Sequence, residues 1–230
     1  MPLQGILNTA RSLSYYMRKQ EVTAHNVANA SSDAFKGDRI MARRVGNSTF
    51  PVPVQELDLQ QGTFRETARP LDLSLAGKGF LVVDTPEGER LTRGGSFRLD
   101  SVGYLTDQQG NRVMGVDGPL LLQGGTVEVH GDGSVVVDGA NAGRLRVVDA
   151  PDPSKLRKEG FGRFLLEGDP EEANLDRTRV RQGAVEEANV DPLLAMVDLV
   201  TIQRAFTANM DALRAMDGVL GAISNEVGKV

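Results

Sequence analysis

Cysteine and tryptophan are absent from the 230 residues, and three Tyr and eight Phe supply all the aromatic surface. The first absence removes thiol nucleophiles, thiolate-bound zinc and disulfides, and it fits a reducing or an oxidising compartment equally. The second leaves few rings on which sugars stack. Histidine is nearly missing too: His25 and His130 fall in different regions of the chain, so neither a two-histidine metal site nor a Ser–His–Asp relay is spelled out. No run approaches the roughly 18 uninterrupted apolar residues of a membrane span. Residues 1–13 lack a basic stretch followed by a continuous apolar core, so no cleaved secretion signal is expected. Clustered basic charge is also missing. The formal net charge is −5, and Arg43–Arg44 and Arg177–Arg181 are the only local concentrations, flanked by acids or breaks. Phosphate backbones need more than that, so nucleic acid is not an expected partner, and membrane insertion is not expected either.

Proline is missing from Leu3 to Phe50 and again from Leu193 to Val230, while glycine crowds into Gly77 to Gly143. That punctuation predicts helical ends around a strand-rich middle. In the first part Leu3, Ile6, Ala10, Leu13, Met17, Ala24 and Val27 follow a 3-4 alternation, with Gln20 the one polar interruption. In the last part Leu199, Ile202, Phe206, Leu213, Met216, Leu220, Ile223, Val227 and Val230 keep the same register, with Asn209 the polar member. Asp191 is placed to cap this helix and Pro192 to occupy its first position. Some 35 helical residues would run about 50 Å, longer than a compact domain of this size requires. Leu194, Val197, Val200 and Met210 lie off the seam, and such extra apolar surface needs further partners.

The middle reads as β. Phe80–Val83, Leu91–Arg93, Phe97–Leu99, Tyr104–Thr106 and Arg112–Met114 are strand candidates, separated by turns at Glu87-Gly88, Gly94-Gly95, Gln109-Gly110-Asn111 and Asp117-Gly118. The series extends to about Asp149, and the segment around Pro70 supplies two linking strands. Residues 168–190, dense in charge, read as a loop and return connection. The expected fold class is α+β: N- and C-terminal helices pairing as a coiled-coil layer, with a mainly antiparallel β-rich central domain. The expected boundaries are 1–34 for the first helix, 35–185 for the β domain with its linking strands, and 186–230 for the second helix.

The short motifs carry little chemistry. "AGKGF" has Gly-Lys without the following Ser/Thr or the glycine spacing of a phosphate loop, so it reads as a turn. "HGDGSVVVDG" lacks the alternating ligands and closing Glu of a calcium loop. Asn29-Ala30-Ser31 and Asn47-Ser48-Thr49 match a glycosylation triplet that arises often by chance. Glu171-Glu172 and Glu186-Glu187 read as solubilising surface acids. No catalytic residue, cofactor site or metal site is expected, and the chain is not expected to be an enzyme.

Against that background "TAHNVANASSDAFKG" (residues 23–37) becomes diagnostic. It resembles the N-terminal signature of bacterial flagellar rod and hook proteins, where a helix ends in Asn-Val-Ala-Asn-Ala before a small turn and Phe-Lys. "RPLDLSLAGKGFLVVDTPEGERLTRGGSFRLDSVGYLTDQQGNRVMG" is similar to that family's central block, and "VRQGAVEEANVDPLLAMVDLVTIQRAFTANMDALRAMDGVL" to its C-terminal block. Only about twenty residues separate Phe35-Lys36 from Leu57-Asp58, which suits the shorter rod members near the proximal–distal junction better than the distal rod member.

The resemblance implies a structural rod subunit in the periplasm. It would be exported without a cleaved signal by the flagellar type III apparatus and would assemble with copies of itself and other rod proteins into a helical driveshaft that passes near peptidoglycan. The seam residues above become an assembly interface, joined by Asn26 and Asn29, which would bond across the bend, and by Phe35 as an anchor. Asn209 would fix register. Distal rod or hook proteins are the alternatives within the family; a peptidoglycan-binding or glycan-cleaving β module is the alternative outside it. Ala34 departs from the family's usual Gly before the aromatic. A positive φ there would cost about 1 kcal/mol, so a differently built turn is expected.

Overall fold

The computed structural model describes residues 2–43 and 52–227, with side chains over 5–43 and 52–221. Two long helices stand at the ends of the chain, α1 (Pro2–Asn29) and α2 (Pro192–Val227). The sequence-predicted start of α2 is present in detail. Asp191 Oδ1 accepts from the N–H groups of Leu193 at 2.8 Å and Leu194 at 3.1 Å, satisfying two of the donors a helix start leaves open. Pro192, lacking an N–H, sits where none is needed.

The chain divides into two compact units. Among the described residues the first holds 2–28, 38–43, 52–56 and 190–227, and the second holds 29–37 and 57–189. The strands Asp38–Arg43 and Val52–Leu57 pair with each other and fall almost wholly in the first unit. They are thus grouped with the helices, not with the β domain to which the sequence assigns them. The reason is polar bonding to α1. Arg18 Nη2 donates to Gln55 Oε1 at 2.9 Å, and Asn26 Nδ2 donates to the Asp38 carbonyl at 2.8 Å.

In the second unit every strand pair among the described residues is antiparallel. The main sheet runs Leu156–Gly160, Arg163–Leu166, Gly88–Thr92, Phe80–Thr85, Arg112–Gly115, Leu105–Thr106, Arg98–Leu99. Its central strand, Phe80–Thr85, is buried on both faces. Successive side chains alternate, so Leu81 and Val83 enter one core with Leu73, Leu75 and Val113, while Phe80 and Val82 enter a second with Leu91, Val148 and Phe164. Smaller sheets flank it: Val127–Val129, Ser134–Val137 and Ala140–Arg144 form one, and Arg179–Gln182, Asp72–Ala76 and Gly94–Ser96 another.

Two sequence expectations are corrected here. Gly94-Gly95 is not a turn but part of a strand hydrogen-bonded to Asp72–Ala76. Gly94 is needed because its φ is +119° and a Cβ would run into the Leu73 carbonyl. Residues 168–190 are not a loop: Glu171–Glu172, Arg179–Gln182 and Ala184–Glu186 are strands. Charge hid them, because Arg179 is exposed and Arg181 half-buried on either side of the buried Val180.

Candidate functional site at the elbow

The sequence stretch that carries the family resemblance forms a tight elbow after α1. Asn26 brackets it with two bonds to one residue, Nδ2 donating to the Asp38 carbonyl and Oδ1 accepting from the Asp38 N–H at 3.0 Å. The Asn29 carbonyl accepts from Ser32 N–H at 2.9 Å, and the Ser32 carbonyl from Phe35 N–H at 3.3 Å. Ala34 lies between them with φ +57°, so the expectation of a differently built turn is wrong. The left-handed conformation is kept with Ala in place of Gly, held by an Ala34 N–H bond to the Glu186 carbonyl at 2.6 Å and by near-complete burial of the methyl. Phe35 is buried, and Lys158 Nζ lies 4.6 Å from its ring centre.

Lys36, the next residue, is the centre of the site. Its ammonium is fully buried and donates to Glu186 Oε1 at 2.5 Å and to the Gln60 carbonyl at 2.7 Å. Arg93 takes the other carboxylate oxygen, with Nη2 at 3.0 Å and Nε at 3.2 Å, and its fork extends to the carbonyls of Gly79 and Leu75. Glu186 Oε1 also accepts from Gly62 N–H at 2.9 Å. Gly62 must be glycine for this approach, since a Cβ would strike the Glu187 carbonyl. Burial pushes the Lys36 amine below its ordinary range, against the opposing pull of Glu186.

Asn189 completes the junction. Its Oδ1 accepts from Gly37 N–H at 2.7 Å, and its Nδ2 donates to the carbonyls of Asp58 and Gln60 at 2.8 and 3.1 Å. The backbone N–H of Asn189 reaches the Phe35 carbonyl at 3.2 Å. Three segments remote in sequence, 34–37, 58–62 and 186–189, are thus tied together. Lys36, Arg93, Glu186 and Asn189 are bonded to one another or to backbone groups of these segments, which makes the cluster a structural clasp.

Sequence reasoning missed Lys36, Arg93, Glu186 and Asn189. It took Glu186-Glu187 for surface acids, whereas Glu186 is fully buried. The usable signal was position: each of these residues stands inside a motif block that carries the resemblance.

The seam residues are distributed differently from the expectation. In α1 Ile6, Leu13 and Val27 are covered, with the interrupting Gln20, at steps of seven. The covered face also includes Val22, the most buried apolar residue of the helix, with Thr9, Tyr16 and Thr23, which stand one position before the expected Ala10, Met17 and Ala24, all three of which are exposed. Thr9 tolerates burial because its hydroxyl donates to the Gly5 carbonyl at 3.0 Å. In α2 Leu199, Ile202, Phe206, Asn209, Leu213 and Leu220 are covered, Ile202 most completely, and Met216 is exposed. Asn209 Nδ2 donates to the Ala205 carbonyl in its own helix at 2.8 Å. The side chains of Leu3 and Ile223, Val230, and the Asn47-Ser48-Thr49 triplet lie outside the described residues.

Among the described residues no group of three or more His, Cys, Asp or Glu could hold a metal ion, and no helix is long and apolar enough to cross a membrane.

Comparison with known proteins follows the same blocks. Residues 74–140 match the family described as "Flagellar hook protein FlgE/F/G D1 domain", and residues 181–226 that described as "Flagellar basal body rod FlgEFG protein C-terminal". Arg93 falls in the first span and Glu186 and Asn189 in the second. The chain is 32% identical to the flagellar basal-body rod protein FlgF of Escherichia coli, over 94% of this chain and 95% of that protein. It is 30% identical to the FlgF of Salmonella typhimurium, over 93% and 94%. To the flagellar basal-body rod protein FlgG of Bacillus subtilis it is 21% identical, over 97% and 98%. With its motif blocks in order, its clasp built from them, and similarity running almost end to end, the chain belongs to the FlgF family of flagellar basal-body rod proteins.

Proposed function

We propose that the chain is a structural subunit of the bacterial flagellar basal-body rod, sited in the proximal rod or at its junction with the distal rod. It assembles with further copies and with other rod proteins into a helical driveshaft that transmits torque. Higher identity to FlgF than to FlgG relatives supports that position.

One observation carries the reading. Along α2 the large apolar residues Leu193, Leu194, Met196, Val197, Val200 and Val219 are all exposed, Leu193 at 70% and Val197 at 57%. An isolated helix does not leave such a face to water without a partner, and an open array of head-to-tail contacts is the arrangement that covers it on every copy. The covered positions of both helices keep a 3-4 spacing, and Met216 lies against Gly5. Both facts support pairing of α1 and α2 as a coiled-coil layer within the subunit. Ala10, Met17 and Ala24, exposed here, then belong to contacts with neighbouring subunits, as does the α2 face. Asn26, Asn29 and Phe35 shape the elbow that feeds this layer. Export through the flagellar type III apparatus, with the assembled rod passing near peptidoglycan, completes the reading.

The test is the double substitution Leu194→Asp with Val197→Asp in cells otherwise lacking the protein. Both positions are exposed, so the folded chain should keep its stability to within about 0.5 kcal/mol. Rods isolated from such cells should be truncated and the cells non-motile; intact rods and normal swimming would overturn the proposal.

A further inference from the structure

Methionine is spread unevenly over the two units. Of the seven in the sequence, Met114 alone belongs to the β body, while Met17, Met41, Met196, Met210 and Met216 lie in the unit that holds both helices. Met17, Met41 and Met196 are each 52% exposed and Met216 37%, whereas Met114 and Met210 are half-buried. Thioethers adapt to varied contact surfaces, and they also oxidise. With no cysteine in the chain, no thiol competes for an oxidant.

We propose that the exposed thioethers of Met17, Met41, Met196 and Met216 are oxidation-sensitive sites whose conversion to sulfoxide by a peroxide or by hypochlorous acid blocks assembly of the free subunit. The inference rests on the reading that the unit of the two helices packs α1 on α2 and against other subunits. With hydrogen peroxide, a sulfur lone pair attacks one oxygen, the O–O bond breaks, and an S–O bond forms. The departing hydroxide takes the proton released from the transferred oxygen and leaves as water. The thioether loses two electrons and the peroxide gains them. Each sulfoxide places a strong hydrogen-bond acceptor where an apolar contact is needed. At Met216 the cost is most local: a Cβ on Gly5 would lie 3.6 Å from its sulfur, so the added oxygen arises at the surface of α1. Once assembled, the same sulfurs are covered, so the free subunit is the vulnerable form.

The experiment treats the purified full chain with hydrogen peroxide and follows each site by peptide mass spectrometry and self-association by sedimentation. A second protein carries Met17→Leu, Met41→Leu, Met196→Leu and Met216→Leu, which keeps apolar volume but cannot be oxidised. Each protein is compared with its own untreated form. Oxidation should reach the four exposed sites before Met114 and weaken self-association of the natural chain about tenfold or more. Methionine sulfoxide reductase should restore that association. The four-leucine protein should be insensitive to peroxide. Unchanged association of the oxidised natural chain, an equal loss in the leucine protein, or faster oxidation of Met114 would each overturn the inference alone. Failure of the untreated natural chain to associate would overturn the assembly reading, and this inference with it.

Discussion

Lys36 and Glu186, 150 positions apart, form an ion pair in which neither side chain is exposed. Arg93 holds the second carboxylate oxygen, so one anion serves two cations. Charge balance therefore predicts an order of damage. Glu186→Leu strands two buried cations and should cost about 3–5 kcal/mol; Lys36→Met leaves Glu186 paired with Arg93 and should cost less. Chemical denaturation of the full chain, followed by a probe in the β body, reads the order directly. The opposite ranking would show that charge balance does not govern the cluster.

Lys36 also predicts a pH effect. Its folded-state amine is held below the ordinary 10.5 by burial. Between the two values the unfolded chain binds more protons than the folded one, so the stability this site contributes rises with pH across that window. Denaturation midpoints of the natural chain should gain on those of Lys36→Met as pH approaches 10.5. A constant difference would contradict the assignment.

At the acid end the surface turns respond in the same sense, since a lowered carboxyl also leaves the unfolded chain with more bound protons. The carboxyl of Asp100 is held low chiefly by the Tyr104 N–H, and that of Asp138 by the N–H groups of Thr126 and Gly125. A carboxyl depressed on folding stabilises above its unfolded pKa, and that contribution disappears as pH falls from about 4 through the folded value. The natural chain should lose stability more steeply over this range than Asp100→Asn with Asp138→Asn, as measured by denaturation at stepped pH.

Two non-glycine residues with positive φ give opposite tests. Phe161 has φ +52° between two glycines and is 75% exposed, so Phe161→Gly should stabilise by about 0.5–1 kcal/mol. Ala34 has φ +57° but buries its methyl. Relief of strain and loss of burial then oppose each other, so Ala34→Gly should lie within about 1 kcal/mol of neutral. Ala34→Val, β-branched in a left-handed and buried site, should cost about 2 kcal/mol or more. Thermal denaturation of the three variants distinguishes these outcomes.

Leu213→Asp or Phe206→Asp places a charge on the covered face of α2, where both residues are half-buried. Each should prevent rod assembly while the β body keeps its native circular dichroism and cooperative melt. Normal swimming with either variant would count against the seam.

The two helices were legible because a sustained 3-4 spacing of apolar residues matches the period of a helix and not that of a strand, and Asp191-Pro192 marks one start unambiguously. The phase of α1 was half legible. Ile6, Leu13 and Val27 hold in either register, but counting apolar residues favours Ala10 and Met17 over Thr9 and Tyr16. Only the internal bond of Thr9 to Gly5 lets a polar residue take the covered place. The clasp was not legible. An acidic pair between polar neighbours looks like solvent-facing charge, and its burial depends on cations 93 and 150 residues away.

The clasp has a consequence for turn length. The chain passes from the β body to the unit of the two helices after Gly37 and again after Asn189, and these two residues are bonded directly, Gly37 N–H to Asn189 Oδ1 at 2.7 Å. A change of length in a turn of residues 64–186 that touches neither Arg93 nor Glu186 leaves this bond, and the clasp around it, in place.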